Sequence, residues 1–452
     1  MRPTRWRRST YVILGVVAVL LVTVVAAAAV VAARQPGNQV AAPPAPAPAS
    51  AQPGVVPVTD SAAKPTQRGL AAALAPVLAN PDLGKFTGRV SDAMSGEVLW
   101  EQDARVPMQP ASTNKTMTAA AALLALDRQD RLTTRVVTPS PGVVVLVGGG
   151  DQTLSAAPHG EDTWYRDAAR IVDLADQIRR SGVEVDTVQV DISAYRGPAM
   201  AVGWDPLDID GGDIAPIESV MLDAGRTQPV SVESRRSKTP ALDAGRALAA
   251  ALRVDPATVT VLPSAARGRE IAAVQSPPLM QRLRDMMNFS DNVMAESIGR
   301  EVAAALGKPQ SFDGAAEAVL ETLDDAGIDT AGARLFDASG LSVDDRLTAA
   351  TLDEVMTAAT GSEKAELRPL VDLLAIAGGS GTLSYRYLDT DAAGYLRAKT
   401  GSLTGTNTLA GIVTDADDRV LTFALLSNDA GPTGRTALDA FAATLRGCGC
   451  RT

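Results

Sequence analysis

Runs rich in β-forming residues stand near both ends of this 452-residue chain, with helical patterns between them. From Phe86, "FTGRVSDAMSGEVLWEQD" is two short runs around a turn at Ser95-Gly96, a hairpin pattern. Near the other end, "GYLRAKTGSL", "NTLAGIVTD" and "RVLTFALLSND" read as three strands, the last two joined around Ala416-Asp417-Asp418, and "TGRTALDAFAATLRG" follows as a closing helix. This distribution predicts one sheet assembled from the N- and C-terminal parts with helices packed on it, an α+β fold. No repeat at a solenoid period is present.

The middle has a different grain. In "DAARIVDLADQIRRSGVEVDTVQVDIS", Ala168, Ile171, Val172, Ala175 and Ile178 recur at helical spacing, then Val188, Val190 and Ile192 alternate as in a strand. "ALDAGRALAAALRVDPATVTVL" repeats the helix-then-strand order, so residues 146–274 read as an α/β insertion with its own small core. Two stretches here imitate ligand loops. "VGGGDQT" from Val147 lacks both nucleotide-loop patterns and reads as a strand end and turn, and "DPLDIDGGD" from Asp205 lacks the ligand spacing of a calcium loop and reads as a solvated loop.

Location is read from the first 34 residues. Arg2, Arg5, Arg7 and Arg8 precede an uncharged, mostly apolar run from Tyr11 to Ala33, long enough to span a bilayer as a helix. The arginines hold the N-terminus in the cytoplasm and send the remainder outside. The expectation is a single-pass cell-membrane protein held by this helix; a secreted form cleaved within "AAAAVVAARQ" is the alternative. The Pro/Ala-rich stretch 35–65 reads as an extended linker. Outside the anchor, 37 basic residues face 52 acidic ones, a net charge near −15 that disfavours nucleic acid as a partner.

Few residue types are available for catalysis. The single histidine, His159, stands in the turn-like "AAPHGED" and reads as a solvated loop residue. Cys448 and Cys450, in the terminal "RGCGCRT", form a close disulfide or a free tail; with one histidine and two cysteines no four-ligand zinc site can be built from such residues, and no metal or cofactor is expected. A serine enzyme made from this chain would therefore take its base from another side chain. In "MQPASTNKTMTAAAALLAL", Ser112 and Lys115 stand at the front of an Ala-rich helix that runs to about Leu126. Three residues apart on a helix they share a face, which brings amine and hydroxyl together. A helix-capping Ser112 is the plainer alternative.

Two further motifs decide between these. "MMNFSDNVMAES" holds Ser290-Asp291-Asn292, and "RAKTGSL" holds Lys399-Thr400-Gly401-Ser402 on an expected strand. S-x-x-K, S-D-N and K-T-G in this order are the signature of penicillin-recognising serine enzymes. A lysine acts as a base only when partly neutral, and burial beside a second cation such as Lys399 lowers its pKa. Ser112 and Lys115 are then nucleophile and base. Ser290 relays a proton, Asn292 holds a substrate amide, Lys399, Thr400 and Ser402 meet a carboxylate, and the backbone N–H groups of Ser112 and Ser402 form an oxyanion hole.

With "GEVLWEQDARVPMQPASTNKTMTAAAAL", "LVGGGDQTLS" and "DASGLSVDDRLT", these motifs make the chain resemble the class C low-molecular-mass penicillin-binding proteins, the D-alanyl-D-alanine carboxypeptidase/endopeptidase family, from about Phe86 to the closing helix. The resemblance implies a penicillin-binding DD-peptidase/β-lactamase-like fold, an antiparallel sheet with a helical cluster, over 66–145 and 275–447, with accessory structure at 146–274 and a tail at 448–452. It implies an acyl-enzyme on Ser112, peptidoglycan stem peptides ending in D-Ala-D-Ala as substrates, crosslinks as further substrates, and β-lactams as covalent inhibitors. The chain departs from the family pattern in Ala338, where Gly is usual, and in a short insertion. A β-lactamase on the same fold and a non-catalytic wall-binding scaffold are the competing readings.

Overall fold

The computed structural model describes residues 21, 23, 24 and 61–451, and residues 61–451 belong to one compact unit. The expected anchor (1–34) and linker (35–65) lie outside the described residues except at 21, 23, 24 and 61–65; among the described residues no helix is long and apolar enough to cross a membrane.

The first sheet joins both ends of the chain. Its strands are β1 (Lys85–Asp92), β2 (Val98–Gln102), β8 (Ala375–Ile376), β9 (Leu396–Leu403), β10 (Thr406–Thr414) and β11 (Val420–Asn428), in the order β2-β1-β11-β10-β9-β8 and antiparallel throughout. Residues Leu421–Ser427 of β11 are all buried, because helices cover the sheet on both faces. Side chains alternate between faces along a strand. Phe423 and Leu425 accordingly enter one core with the helices Gln67–Leu78 and Gly434–Gly447, whereas Ala424 and Leu426 enter the other, with the helices Asn114–Ala125 and Ala349–Thr360. The Asn114–Ala125 helix is buried continuously from Asn114 to Leu123, and its alanines let the helices Asn292–Ala305 and Phe312–Asp325 pack closely against it.

The second sheet comprises β3 (Thr133–Ser140), β4 (Gly142–Val147), β5 (Val185–Asp191), β6 (Thr260–Leu262) and β7 (Arg269–Gln275), ordered β6-β5-β4-β3-β7. β4, β5 and β6 are parallel, linked through the helices Ile171–Ser181 and Pro240–Leu252; β3 is antiparallel to β4 and β7. The expected α/β character is present, but a boundary between 145 and 146 would cut through β4. The second sheet starts at Thr133, because β3 pairs with β4 and with the distant β7.

Smaller expectations resolve in the same way. Cys448 is disulfide-bonded to Cys450, and the Cys450 carbonyl accepts from Thr66 N–H at 2.9 Å, which ties the tail to the start of the compact unit. His159 is exposed beside Asp173 and Asp176. The stretch from Asp205 is not wholly a loop: Leu207–Gly211 form one helical turn with Ile209 buried.

Candidate active site

The segment before Ser112 is pinned to the sheet. Gln109 N–H donates to Asn428 Oδ1 at 2.9 Å, and the Pro110 carbonyl accepts from Thr408 Oγ1 at 2.7 Å and Thr113 Oγ1 at 2.6 Å. Ala111–Thr113 form a tight 3₁₀ turn in which Ala111 takes φ +46°, a left-handed conformation that costs a non-glycine residue on the order of 1–3 kcal/mol. Thr113, not Ser112, occupies the cap position of the Asn114–Ala125 helix, so the Ser112 hydroxyl is not consumed by capping.

Lys115 is fully buried. Its Nζ donates to Ser112 Oγ at 2.9 Å, Asn292 Oδ1 at 2.6 Å and the Ser339 carbonyl at 2.8 Å. Ser290 and Asn292 come from a break between two helices: Ser290 caps Leu279–Phe289 in the left-handed region (φ +56°), and Asp291 caps Asn292–Ala305 by accepting Met294 N–H at 3.1 Å. The S-D-N triplet is thus both a helix start and part of the site. Tyr165 donates its hydroxyl to the free oxygen of Asp291, and the Asp213 carbonyl accepts from Asn292 Nδ2 at 2.9 Å.

β9 supplies the opposite wall. Lys399, also fully buried, donates to Ser290 Oγ at 2.9 Å and to the Thr400 carbonyl at 2.8 Å; Thr400 Oγ1 meets Thr382 Oγ1 at 2.8 Å. Gly401 permits the approach of the strand to Ser112: a Cβ there would lie 2.1 Å from Thr408 Oγ1 and 2.9 Å from Ser112 N. Ser402 is exposed, 3.4 Å from Asn407 Oδ1. A cleft of about 140 Å³ beside Thr400, Gly401 and Ser402 is lined also by Thr382, Arg386 and Arg435. A larger cavity of about 690 Å³, between β1 and the Ala349–Thr360 helix, contains none of the motif residues.

Burial lowers the Lys115 pKa to about 8, while the carboxylates of Asp337, Asp291 and Glu296 oppose the shift. Lys399 is pushed well down by burial and then by the charge of Lys115. Two amines this close titrate as a pair, and the pair releases its first proton far more readily than an isolated lysine does. Asp291 stays below the usual carboxylate range: burial would raise it, but Arg236, the Tyr165 hydroxyl and Met294 N–H outweigh that.

The motifs did not disclose the turn behind Lys115. Asp337 is buried, and its carboxylate accepts from Ser339 N–H (3.0 Å), Gly340 N–H (2.6 Å), Ser342 N–H (2.7 Å) and Trp204 Nε1 (2.7 Å). The backbone of this turn then serves the Asn114–Ala125 helix: the Asp337, Ala338 and Ser339 carbonyls accept from Asn114, Thr118 and Lys115. Glu296 accepts Ala338 N–H at 3.0 Å and pairs with Arg300; burial and the neighbouring Asp337 raise its pKa to about 7. "DASGLS", with its acid before small residues, carried a turn signal for this feature, whereas no local pattern marks Trp204 as a partner of Asp337. Among the described residues no His, Cys, Asp or Glu group is arranged to hold a metal.

The chain has relatives. The chain is 70% identical to carboxypeptidase DacB of Mycolicibacterium smegmatis over the whole of both chains. It is 30% identical to the D-alanyl-D-alanine carboxypeptidase of Actinomadura sp. (strain R39) over 82% of this chain and 83% of that one. Its fold matches penicillin-binding protein 4 of Haemophilus influenzae with a TM-score of 0.67 at 21% identity, covering 84% of this chain and 98% of that one; the same protein complexed with a β-lactam matches at 0.62. Residues 1–57 match a family described as the carboxypeptidase Rv3627c-like N-terminal domain. Residues 70–235 and 228–445, most of the compact unit that carries the Ser112 site, match the family described as D-Ala-D-Ala carboxypeptidase 3 (S13), and the chain belongs to that family.

Proposed function

We propose that the chain removes the terminal D-Ala from peptidoglycan stem peptides through an acyl-enzyme on Ser112, and that it also opens D-Ala crosslinks. One observation carries the reading: Ser112 Oγ lies 2.9 Å from the Nζ of a buried lysine. A hydroxyl is a weak nucleophile until a base takes its proton, and a buried amine of lowered pKa is such a base.

The lysine pair gives the reaction an order. A substrate carboxylate arriving beside Thr400 and Ser402 favours the charged form of Lys399. The mutual repulsion of two cations then favours neutral Lys115, so binding the carboxylate prepares the base. Attack by Ser112 Oγ on the penultimate carbonyl transfers its proton to Lys115, and the oxyanion faces the Ser112 and Ser402 N–H groups. Ser290, held by Lys399, relays the proton from the Lys115 ammonium to the leaving D-Ala nitrogen, which returns Lys115 to its neutral form, and Asn292 holds the acyl-side amide. Water then completes hydrolysis. A β-lactam ring presents the same carbonyl and carboxylate, and its opening leaves the acyl group on Ser112.

We place the work outside the cell: the arginine cluster and apolar run of the first 34 residues support a membrane anchor, and the following Pro/Ala-rich stretch a tether that lets the site reach the wall. Fluorescent penicillin should label Ser112, and Ser112→Ala should abolish both labelling and D-Ala release from a donor-stem pentapeptide. Label on another serine would overturn the assignment. Penicillin binding without cleavage of pentapeptide or crosslinked dimer would leave the scaffold reading in its place.

A further inference from the structure

Besides the Asp213 carbonyl, which holds Asn292, the insertion reaches the catalytic lysine through an indole. Trp204 lies in the segment between β5 and β6, is 8% exposed, and meets the Phe312 ring edge-on with centroids 5.1 Å apart. Its Nε1 donates to Asp337 Oδ2 at 2.7 Å. Ser342 N–H donates to that same oxygen at 2.7 Å, and Ser342 Oγ returns to the Val202 carbonyl at 2.8 Å, so the 202–204 segment and the 337–342 turn are bonded together at two points. From this turn the Ser339 carbonyl accepts the Lys115 ammonium at 2.8 Å.

A carboxylate with four donors in a buried setting holds a turn rigidly, and loss of one donor leaves part of its charge unsatisfied. Asp337 Oδ1 holds Ser339 N–H and Gly340 N–H, while Oδ2 is shared by Ser342 N–H and the indole. Asp345 stands beside the cluster, and its Oδ1 accepts from Phe336 N–H at 2.6 Å. The indole is therefore the insertion's own contribution to the carboxylate that fixes the Ser339 carbonyl.

We propose that Trp204 is a positioning residue for acylation: acting through Asp337 and the Ser339 carbonyl, it holds Lys115 Nζ in line with Ser112 Oγ, which gives the inserted α/β block a role in the chemistry. The inference rests on the reading of Ser112 as nucleophile and Lys115 as base. A donor lost from Asp337 lets the turn shift, Lys115 loses a fixed acceptor, and proton transfer from Ser112 slows. Ligand binding against β9 does not involve this chain of bonds and stays as it was.

The test is stopped-flow acylation of the full chain by a chromogenic penicillin, from pH 6 to 10, resolved into the dissociation constant of the first complex and the acylation rate constant. Trp204→Phe keeps a ring and deletes the donor. Benzothienylalanine at position 204 keeps the bicyclic shape and replaces N–H by sulfur, so it separates the hydrogen bond from the packing. The acylation rate constant should fall by at least ~10-fold in both, with the dissociation constant unchanged and the rate–pH midpoint displaced. This displacement is read against the Asp337, Asp291, Glu296 and Asp345 carboxylates that surround Lys115. A folded isostere that acylates at the parent rate overturns the proposal, as does a loss confined to the dissociation constant or an isostere that fails to fold. Ser112→Ala runs alongside: label persisting there would instead refute the nucleophile assignment.

Discussion

Gly340 stands against the Ala111 carbonyl so closely that a Cβ on the glycine would come within 1.9 Å of that oxygen. The contact joins the Asp337 turn to the strained residue immediately before Ser112, and Gly340 itself has φ +79°, a region open to glycine. The Ala111–Thr113 turn and the Asp337 turn are thus held back to back.

Gly340→Ala should displace one of these turns. Backbone strain and the overlap together should cost on the order of 2–4 kcal/mol in chemical unfolding. Penicillin acylation should fall by more than the loss of folded protein accounts for. Parent-like acylation in the folded variant would show that the contact is incidental to Ser112.

Acylation should depend on the lysine pair. Lys115 acts as base only when neutral, and its pKa is lowered to about 8, so the acylation rate constant should rise with pH through about 8 and fall below it. Lys399→Ala removes the amine that a bound substrate or penicillin carboxylate charges, and with it the repulsion that favours neutral Lys115 in that complex. The rising limb should therefore move to higher pH, and carboxylate-ending peptides should bind more weakly. Stopped-flow acylation across pH reads the first effect, and inhibition of acylation by such peptides reads the second.

The motifs in the sequence are local, and their placement was legible for that reason. Ser112 and Lys115 are one helical turn apart, the β10–β11 hairpin closes within a few residues, and Ser290 and Asn292 flank a helix cap. The start of the second sheet was not legible in the same way. β3 and β4 are adjacent in sequence, but β3 also bonds to β7 more than 130 residues later, and a short β-forming run does not specify which sheet it joins. Trp204 was hidden similarly: its partner Asp337 lies 133 residues away, and an isolated tryptophan reads simply as core. The glycine of "KTG" could be read as motif, yet its physical reason, the approach of Pro110 and Ser112, appears only in three dimensions.

Asp353 should make stability fall as pH rises from about 4 to about 6. Burial raises its pKa to about 6, although Ser91 and Thr422 donate to it and oppose the shift. A carboxyl with a raised folded pKa holds more protons folded than unfolded across that interval, so the sign of the linkage is negative, and above about 6 the effect is constant. Asp353→Asn should remove on the order of 2–3 kcal/mol of this dependence and raise the melting temperature at pH 7.5 but not at pH 4. Thermal scans across pH supply the comparison; an unchanged slope would mean that Asp353 is ionised throughout.

Tyr165→Phe should move stability in the opposite direction along the pH axis. The Tyr165 hydroxyl donates to Asp291 Oδ2, while Asp291 Oδ1 caps the Asn292–Ala305 helix. Without that hydroxyl the buried carboxylate keeps the cap and the nearby charges of Arg236 and Arg226 but loses one donor, at a cost of about 1–3 kcal/mol. Asp291 has a depressed folded pKa, so its stabilisation is complete above the unfolded value and is lost as pH falls through the folded one. Deleting a bond that favours the carboxylate raises the folded pKa, and the acid-unfolding midpoint should therefore shift upward. The site should respond as well, because Ser290 precedes Asp291 in a left-handed conformation and its Oγ must stay near Lys399 Nζ, 2.9 Å away. Circular dichroism from pH 2 to 6 measures the midpoint, and D-Ala release at neutral pH measures the site; a midpoint that stays in place would show that Arg236 and the helix cap alone hold Asp291 ionised.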